Sequence, residues 1–352
     1  MKRLLVTGGA GFIGSNFIRY IVKTYPHYQI INLDKLTYAG NLDNLVDIAP
    51  HPGYRFVQGD ICEAALVEDL VKEVDFIVHF AAETHVDRSI LNAGSFIRTD
   101  VYGTFILLEA AKKHGIQKLI HISTDEVYGN ACSPQGISRP SLETDPLLPQ
   151  SPYAASKAGA DRLAYSYWTT YGVPVVITRC SNNFGPYQYP EKLIPLFVTN
   201  ALENKPLPVY GDGKNTRDWI FVRDHCRAID VLLHAEGVEG EVFNIGAHDE
   251  RSVLEITEVI LTILKKPRSL INYVKDRPGH VKRHAVDASK IQARLGWKAT
   301  TDFQEAMEKT VYWYVENENW WRKIKDRSRE YQEYYQRQYI LREQSKQWVA
   351  SS

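Results

Sequence analysis

The sequence has little to suit it to a charged polymer, an oxidising compartment or a lipid bilayer. Among its 352 residues, 42 Lys and Arg face 42 Asp and Glu, so the formal charge is +0. A general nucleic-acid binder needs a basic excess to neutralise phosphates, and none is present. That balance still permits a local basic pocket for one small anion. Only four cysteines occur, Cys62, Cys132, Cys180 and Cys226. They are scattered, with no CxxC pair and no Cys/His cluster at zinc spacing, so reduced thiols in a cytoplasmic protein are expected and a metal site is not. No run of about 18 apolar residues appears, so no membrane helix is expected. The opening Met1-Lys2-Arg3-Leu4-Leu5-Val6-Thr7-Gly8 lacks the apolar stretch and small-residue cleavage site of a secretory signal. There is no internal repeat and no low-complexity segment.

What is present is an alternation of apolar runs and helical patterns. Leu4–Val6, Ile30–Leu33, Arg55–Val57, Phe76–Phe80, Lys118–Ile122 and Val175–Thr178 read as short buried strands. Ser15–Thr24 and Gly103–His114 carry apolar residues at helical spacing. Such alternation predicts an α/β fold: a Rossmann-type, doubly wound parallel sheet with helices on both faces. The second half has more turn signals (Gly185-Pro186, Gly211-Asp212-Gly213, Arg277-Pro278-Gly279) and helical patterns near Leu193–Glu203, Ser252–Lys265, Ala288–Leu295 and Phe303–Asn319. It reads as a smaller α/β substrate-binding lobe. The expected division is 1–180 for the sheet domain, to which later segments can return, 181–320 for the lobe, and 321–352 for a tail forming one amphipathic closing helix with a frayed end.

Gly8, Gly11 and Gly14 lie in Thr7-Gly8-Gly9-Ala10-Gly11-Phe12-Ile13-Gly14, between the first strand and the first helix. Glycines there allow a tight turn and close backbone approach, and the helix N-terminus offers free N–H groups to a pyrophosphate. Asp34 ends the second strand, 20 residues after Gly14. A carboxylate at that point accepts hydrogen bonds from ribose hydroxyls and repels a 2′-phosphate, which favours NAD. Asp60 and Ile61, after the third strand, could support an adenine edge, and Ala81 and Ala82, after the fourth, are small enough to let a dinucleotide pass. Ser123-Thr124-Asp125-Glu126 follows the fifth strand, and Tyr153 and Lys157 are four apart on a helical pattern, hence on one face. An ammonium beside a phenol favours phenolate, so Lys157 is expected to lower the Tyr153 pKa and make Tyr153 a base for a substrate hydroxyl.

Through the glycine loop and the Tyr153-to-Lys157 spacing the chain resembles the extended short-chain dehydrogenase/reductase family. Further stretches, Asp34 to Asn41, Ala81 to Ser89, Ser123 to Gly129, Ser181 to Gln188, Pro190 to Pro195, Arg217-Asp218-Trp219 and Asp276 to His280, resemble its sugar-nucleotide 4,6-dehydratase branch. The resemblance spans residues 7 to about 290. It implies bound NAD, held also by Phe12, Ile13, Lys35, Leu36, Thr37, Thr99 and Asn183, and a nucleoside-diphosphate hexose substrate, dTDP-glucose. The implied reaction oxidises C4 of the hexose, eliminates water across C5 and C6, and returns hydride to C6. Tyr153 would take the 4-hydroxyl proton with Thr124 orienting that hydroxyl, Glu126 the C5 proton, and a protonated Asp125 would release the C6 hydroxyl as water. Two adjacent carboxyls then need different protonation states, which burial and mutual repulsion can provide.

For the substrate, Arg217 and Arg277 are candidates to grip the diphosphate bidentately. The resemblance adds Asn182, Lys192 and Leu193 as phosphate or sugar contacts, Thr84 and Thr124 against the hexose, Pro208, Val209 and Tyr210 beside the base, and Asp276 and His280 near them. Departures are Asp100 where the family usually has Asn, which is expected to touch helix packing near the cofactor rather than chemistry, and Val281 for Asp, His284 for Tyr, and Ser252 near a common Asn, which bear on base identity more than on reaction type. His79, His85 and His121 read as packed side chains. A homodimer joined through Gly103–His114 and Ala154–Tyr171 is implied. The competing readings are a 4-epimerase or decarboxylase of the same family, which needs no acid at C6, and a non-catalytic dinucleotide sensor, which has no use for Tyr153 and Lys157.

Overall fold

The computed structural model describes residues 2–131 and 138–341. Cys132 and the last part of the tail lie outside the described residues. The six strands expected in the first half form as β1 (Arg3–Thr7), β2 (Gln29–Asp34), β3 (Tyr54–Gln58), β4 (Phe76–His79), β5 (Lys118–Thr124) and β6 (Val175–Cys180). Their apolar runs follow from burial on both faces: β1, β4, β5 and β6 are covered along almost their whole length. A second group, β7 (Asn182–Phe184), β8 (Leu207–Tyr210) and β9 (Thr216–Phe221), precedes β10 (Val242–Ile245). β10 joins the main sheet, whose order is β10-β6-β5-β4-β1-β2-β3, parallel throughout. The chain reverses direction across the sheet between β1 and β4, which opens a crevice at their carboxyl ends.

One face of this sheet packs the helices Ala64–Val71, Thr104–His114 and Pro152–Tyr171, through residues such as Leu5, Ile31, Leu107 and Ala164. The other packs Phe12–Thr24, Val222–His234 and Ser289–Leu295, through Phe17, Ile18, Ile229 and Ile291. Segments beyond residue 181 thus complete the first body. The second body holds β11 (Glu250–Ser252), β12 (Ile271–Val274) and β13 (Arg283–His284): β9 pairs with β7, β11 and β13, and β8 with β12. Its core joins Leu196, Ile256, Met307 and Trp321 from four helices.

Local signals explain the helix that carries the tyrosine and lysine. Ser151 accepts a hydrogen bond from Ala154 N at 3.1 Å, Pro152 occupies the first turn, and Gly172 closes the helix at φ 69°. Two expectations are corrected. The helix expected from Gly103 begins earlier, at Ala93, and passes through a π turn over Ile97–Gly103. Among the described residues the tail forms not one helix but two, Glu318–Arg327 and Arg329–Tyr335, because the Ser328 side chain caps the second by accepting from Tyr331 N; a further π turn spans Gln336–Leu341. No helix of the described residues is long and apolar enough to cross a membrane.

A buried charge pair ties this helix to the sheet. Arg179 of β6 donates to Asp161 at 2.8 and 3.0 Å and to Tyr128 Oη at 2.8 Å, and Tyr128 donates to Asn244 of β10. Both Asp161 and Arg179 are buried. Asp161→Ala leaves the guanidinium uncompensated, so a loss of about 3–5 kcal/mol is expected in chemical unfolding. Unchanged stability would show that the pair contributes nothing net.

A candidate active-site cleft at the crossover of the sheet

A cavity of about 440 Å³ opens at the carboxyl ends of β1, β4 and β5 and runs between the two bodies. At one end the glycine turn approaches the strand beside it. Gly8 has φ +70°, and a Cβ there would stand 2.6 Å from Ala81 N, so a side chain at this position would close the turn. Asp34 accepts from Ala10 N at 2.9 Å and from Leu36 N at 2.8 Å. Those bonds fix its carboxylate at the lip of the crevice and leave further lone pairs for ribose hydroxyls. Lys35 pairs with Asp60 at 2.8 Å.

The middle of the cleft collects the expected chemistry. Thr124, Asp125, Glu126, Tyr153 and Lys157 all line it. Thr124 Oγ1 donates to Asp125 Oδ1 at 3.2 Å and accepts from Glu126 N at 3.3 Å. Burial, then the neighbouring Glu126, push the Asp125 carboxyl well above its usual range. Burial also raises Glu126, but Arg277, Arg217 and Lys192 pull against it. One acid is therefore biased to keep its proton and the other faces three cations. The expected lowering of Tyr153 does not occur: burial, then the charges of Glu126 and Asp100, push the phenol well above its ordinary value. The Lys157 ammonium donates to Ile122 O at 2.7 Å. Burial lowers its pKa, while Asp100 opposes that.

Asp100, expected to bear on helix packing, also acts by its charge on Tyr153 and Lys157. It sits in the π turn, buried, accepting from Glu83 N at 2.7 Å and from Ser156 Oγ at 2.6 Å. Burial raises it to about 7, with Lys157 acting the other way. A carboxyl raised by folding stabilises the fold at low pH, and that stability fades as pH climbs toward about 7. Asp100→Asn, which keeps the shape, is expected to remove this slope. Its stability relative to the native chain should improve between about pH 5 and about pH 8; a parallel pair of unfolding curves at both pH values would reject the assignment.

Toward the other end, Lys192 Nζ donates to Thr84 Oγ1 at 3.1 Å. Arg277 pairs with Asp87 at 2.9 Å. Burial works against the Arg277 charge, but Asp87 and Glu126 outweigh it. Burial likewise lowers Arg217 to about 10. Asn182, Leu193, Pro208, Tyr210 and His280 complete this wall, and Asn183 Oδ1 accepts from His225 Nδ1 at 2.9 Å.

Gly11, Phe12, Ile13, Gly14, Thr37, Ile61, Ala82 and Thr99 also border the cleft. Three expected residues do not. Val209 alternates away from Pro208 and Tyr210 on β8 and is buried in the second core. Asp276 holds the His280 ring at 2.6 Å instead of forming wall. Leu36 contributes its backbone N–H to Asp34. Of the histidines, His79 bridges Thr7 and Thr104, His121 is buried beside it, and His85 faces the cleft, lowered to about 4 by burial and then Lys192. Cleft residues without an earlier role include Asp87, Cys180, Glu191 and Tyr339. Asp87 stands inside the Ala81-to-Ser89 motif; Tyr339 lies in a tyrosine-rich tail with no motif. No group of three or more His, Cys, Asp or Glu among the described residues could hold a metal ion.

Comparison with known proteins gives a consistent picture. The family model described as GDP-mannose 4,6 dehydratase matches residues 5–310. A dTDP-glucose 4,6-dehydratase of Neisseria meningitidis serogroup B is 47% identical over 346 residues, covering 92% of this chain and 96% of the relative. One from Streptomyces niveus is 50% identical over 327 residues, covering 92% and 96%. Among solved structures, a dTDP-glucose 4,6-dehydratase from Streptomyces venezuelae, with NAD and TYD bound, superimposes with a TM-score of 0.88 at 49% identity, covering 92% of this chain and 99% of that one.

Proposed function

The chain belongs to the GDP-mannose 4,6 dehydratase family, and on that premise we propose that it dehydrates dTDP-glucose to the 4-keto-6-deoxy sugar with NAD as a resident cofactor. It is a hydro-lyase. The observation that carries the reading is the adjacent Asp125 and Glu126, held in unlike surroundings beside Tyr153. A simple 4-epimerase would have no use for two such acids.

The glycine turn suits NAD: its backbone approaches Ala81 where any side chain would intrude, and Asp34 is set for ribose hydroxyls and against a 2′-phosphate. Lys157 would hold the nicotinamide ribose. When bound, the dinucleotide supplies a hydride acceptor at C4 and a hydride donor at C6. Tyr153 removes the 4-hydroxyl proton, with Thr124 fixing that hydroxyl. The C4 ketone then acidifies C5–H, and Glu126 takes that proton. Asp125 gives its proton to the C6 oxygen, which departs as water. Arg217, Arg277, Lys192 and Asn182 hold the diphosphate and sugar. In this reading the sheet body, 1–180 with its returning segments, holds the dinucleotide, and the remainder of 181–320 the sugar nucleotide.

The test is incubation with dTDP-glucose in deuterated water. Loss of water by mass spectrometry with deuterium at C5 is expected; an unchanged mass or a C4 epimer overturns the reading.

We further propose a homodimer built on the helices Thr104–His114 and Pro152–Tyr171. The support is an exposed apolar patch on these helices and the π turn, with Ile97, Tyr102, Phe105, Tyr165 and Tyr171 facing outward. Light scattering should report twice the chain mass, and Tyr102→Glu should halve it. Cysteines without a disulfide among the described residues support a cytoplasmic location.

A further inference from the structure

The cleft changes character along its length. The catalytic carboxyls and Tyr153 give way to Arg217 and Arg277, and beyond the arginines the wall turns aromatic with Tyr210, His280 and Tyr339. The last of these comes from the C-terminal segment, outside the stretch of residues 5–310 that the family model matches. The segment is fastened rather than draped. Trp321 and Tyr331 are buried in the second core, Glu330 pairs with Arg88 at 2.8 Å, and Tyr335 accepts from Asn200 at 3.2 Å. Its far end then reaches the cleft. Gln338, buried, donates to Tyr210 Oη at 2.7 Å and to Asp87 Oδ2 at 2.9 Å. Asp87 also accepts from Tyr210 at 3.1 Å and from Arg277 at 2.9 Å. The Tyr339 ring lies 6.3 Å from the Tyr210 ring, at 24° to it.

We infer that Tyr339 is a substrate-binding residue at the nucleoside end of the site, and Gln338 a positioning residue. Tyr339 extends the Tyr210 ring into one aromatic wall for the pyrimidine base of a nucleoside diphosphate. Gln338 locks that wall to the arginine below it through Asp87. A base offers a flat π face to any such wall, and the diphosphate then falls beside Arg277 and Arg217. This rests on the functional reading above, because it takes the aromatic end of the cleft as the nucleoside end.

The experiment uses the full chain as purified, with calorimetric titration of dTDP and a parallel assay of bound dinucleotide. Tyr339→Ala should weaken dTDP by about ten-fold or more, with dinucleotide content unchanged, and KM for dTDP-glucose should rise by a larger factor than kcat falls. Tyr339→Phe should restore most of the dTDP affinity. Gln338→Leu should also raise KM more than it lowers kcat. The inference is overturned if Tyr339→Ala binds dTDP like the native chain, if the Phe variant is as weak as the Ala variant, or if dTDP and dinucleotide are lost together. A native chain that fails to bind dTDP overturns the functional reading itself, and this inference with it.

Discussion

Glu126→Gln stops water loss while leaving the oxidation at C4 intact. The amide keeps the size and planarity of the carboxylate but has no basic site for the C5 proton. Three cations, Arg277, Arg217 and Lys192, oppose the burial that raises Glu126, so the native side chain is the acid of the pair better placed to be ionised. Asp125, raised by burial and by Glu126 itself, is suited to hold a proton and cannot take over as base without losing it. A drop in product of about 10² to 10⁴-fold is expected, the range of a positioned general base. After mixing with dTDP-glucose, the near-ultraviolet absorbance of reduced dinucleotide should appear and persist, and no deuterium should enter C5. Product at the native rate would remove Glu126 from the reaction. The pH profile carries a sign as well: burial lifts Glu126, so the acid limb should lie above the ordinary carboxylate range. Loss of Arg277 should move that limb further up.

The two carboxyls were legible from the chain because they sit next to each other at a strand end, where a short motif keeps its meaning in three dimensions. The first six strands were legible for a related reason. Most of them, β1, β4, β5 and β6 above all, are covered on both faces, and a run such as Leu4 to Val6 announces that by itself. β10 was not read, since Val242 to Ile245 is only four residues long and broken by Asn244, and nothing local says which sheet it joins. Val209 could have been placed. Pro208 and Tyr210 are two apart on a strand and share a face, so the residue between them faces the core. Tyr339 and the π turn at Asp100 had no signal of either kind. Their roles come from contacts made across distant stretches of chain, as with Gln338 and Asp87, 251 residues apart. The Tyr153 pKa failed for the same reason: Lys157 is visible four residues along the helix, whereas the opposing charges of Glu126 and Asp100 arrive from other elements.

That opposition gives the Tyr153 prediction its force. In the described cleft the phenol is pushed up by burial, Glu126, Asp100 and Asp125. A phenolate can form there only if positive charge is brought close. Lys157 is the chain's own buried cation on the same helix face, and a bound nicotinamide adds its positive ring. Tyr153→Phe removes the proton acceptor but keeps the ring and its edge contact with Phe96, at 6.2 Å between centroids, so the fold should survive. Turnover should fall by at least about 10² to 10⁴-fold. Unlike the Glu126 variant, this one should show no absorbance of reduced dinucleotide, since the block precedes hydride loss. Lys157→Met should slow the same step and move the surviving activity to higher pH, because the phenol then faces only negative neighbours. A Phe variant that still reduces its dinucleotide on addition of dTDP-glucose would assign the 4-hydroxyl proton to another group. Thr124 would be the first to consider, since its hydroxyl already binds Asp125 and shares the cleft wall.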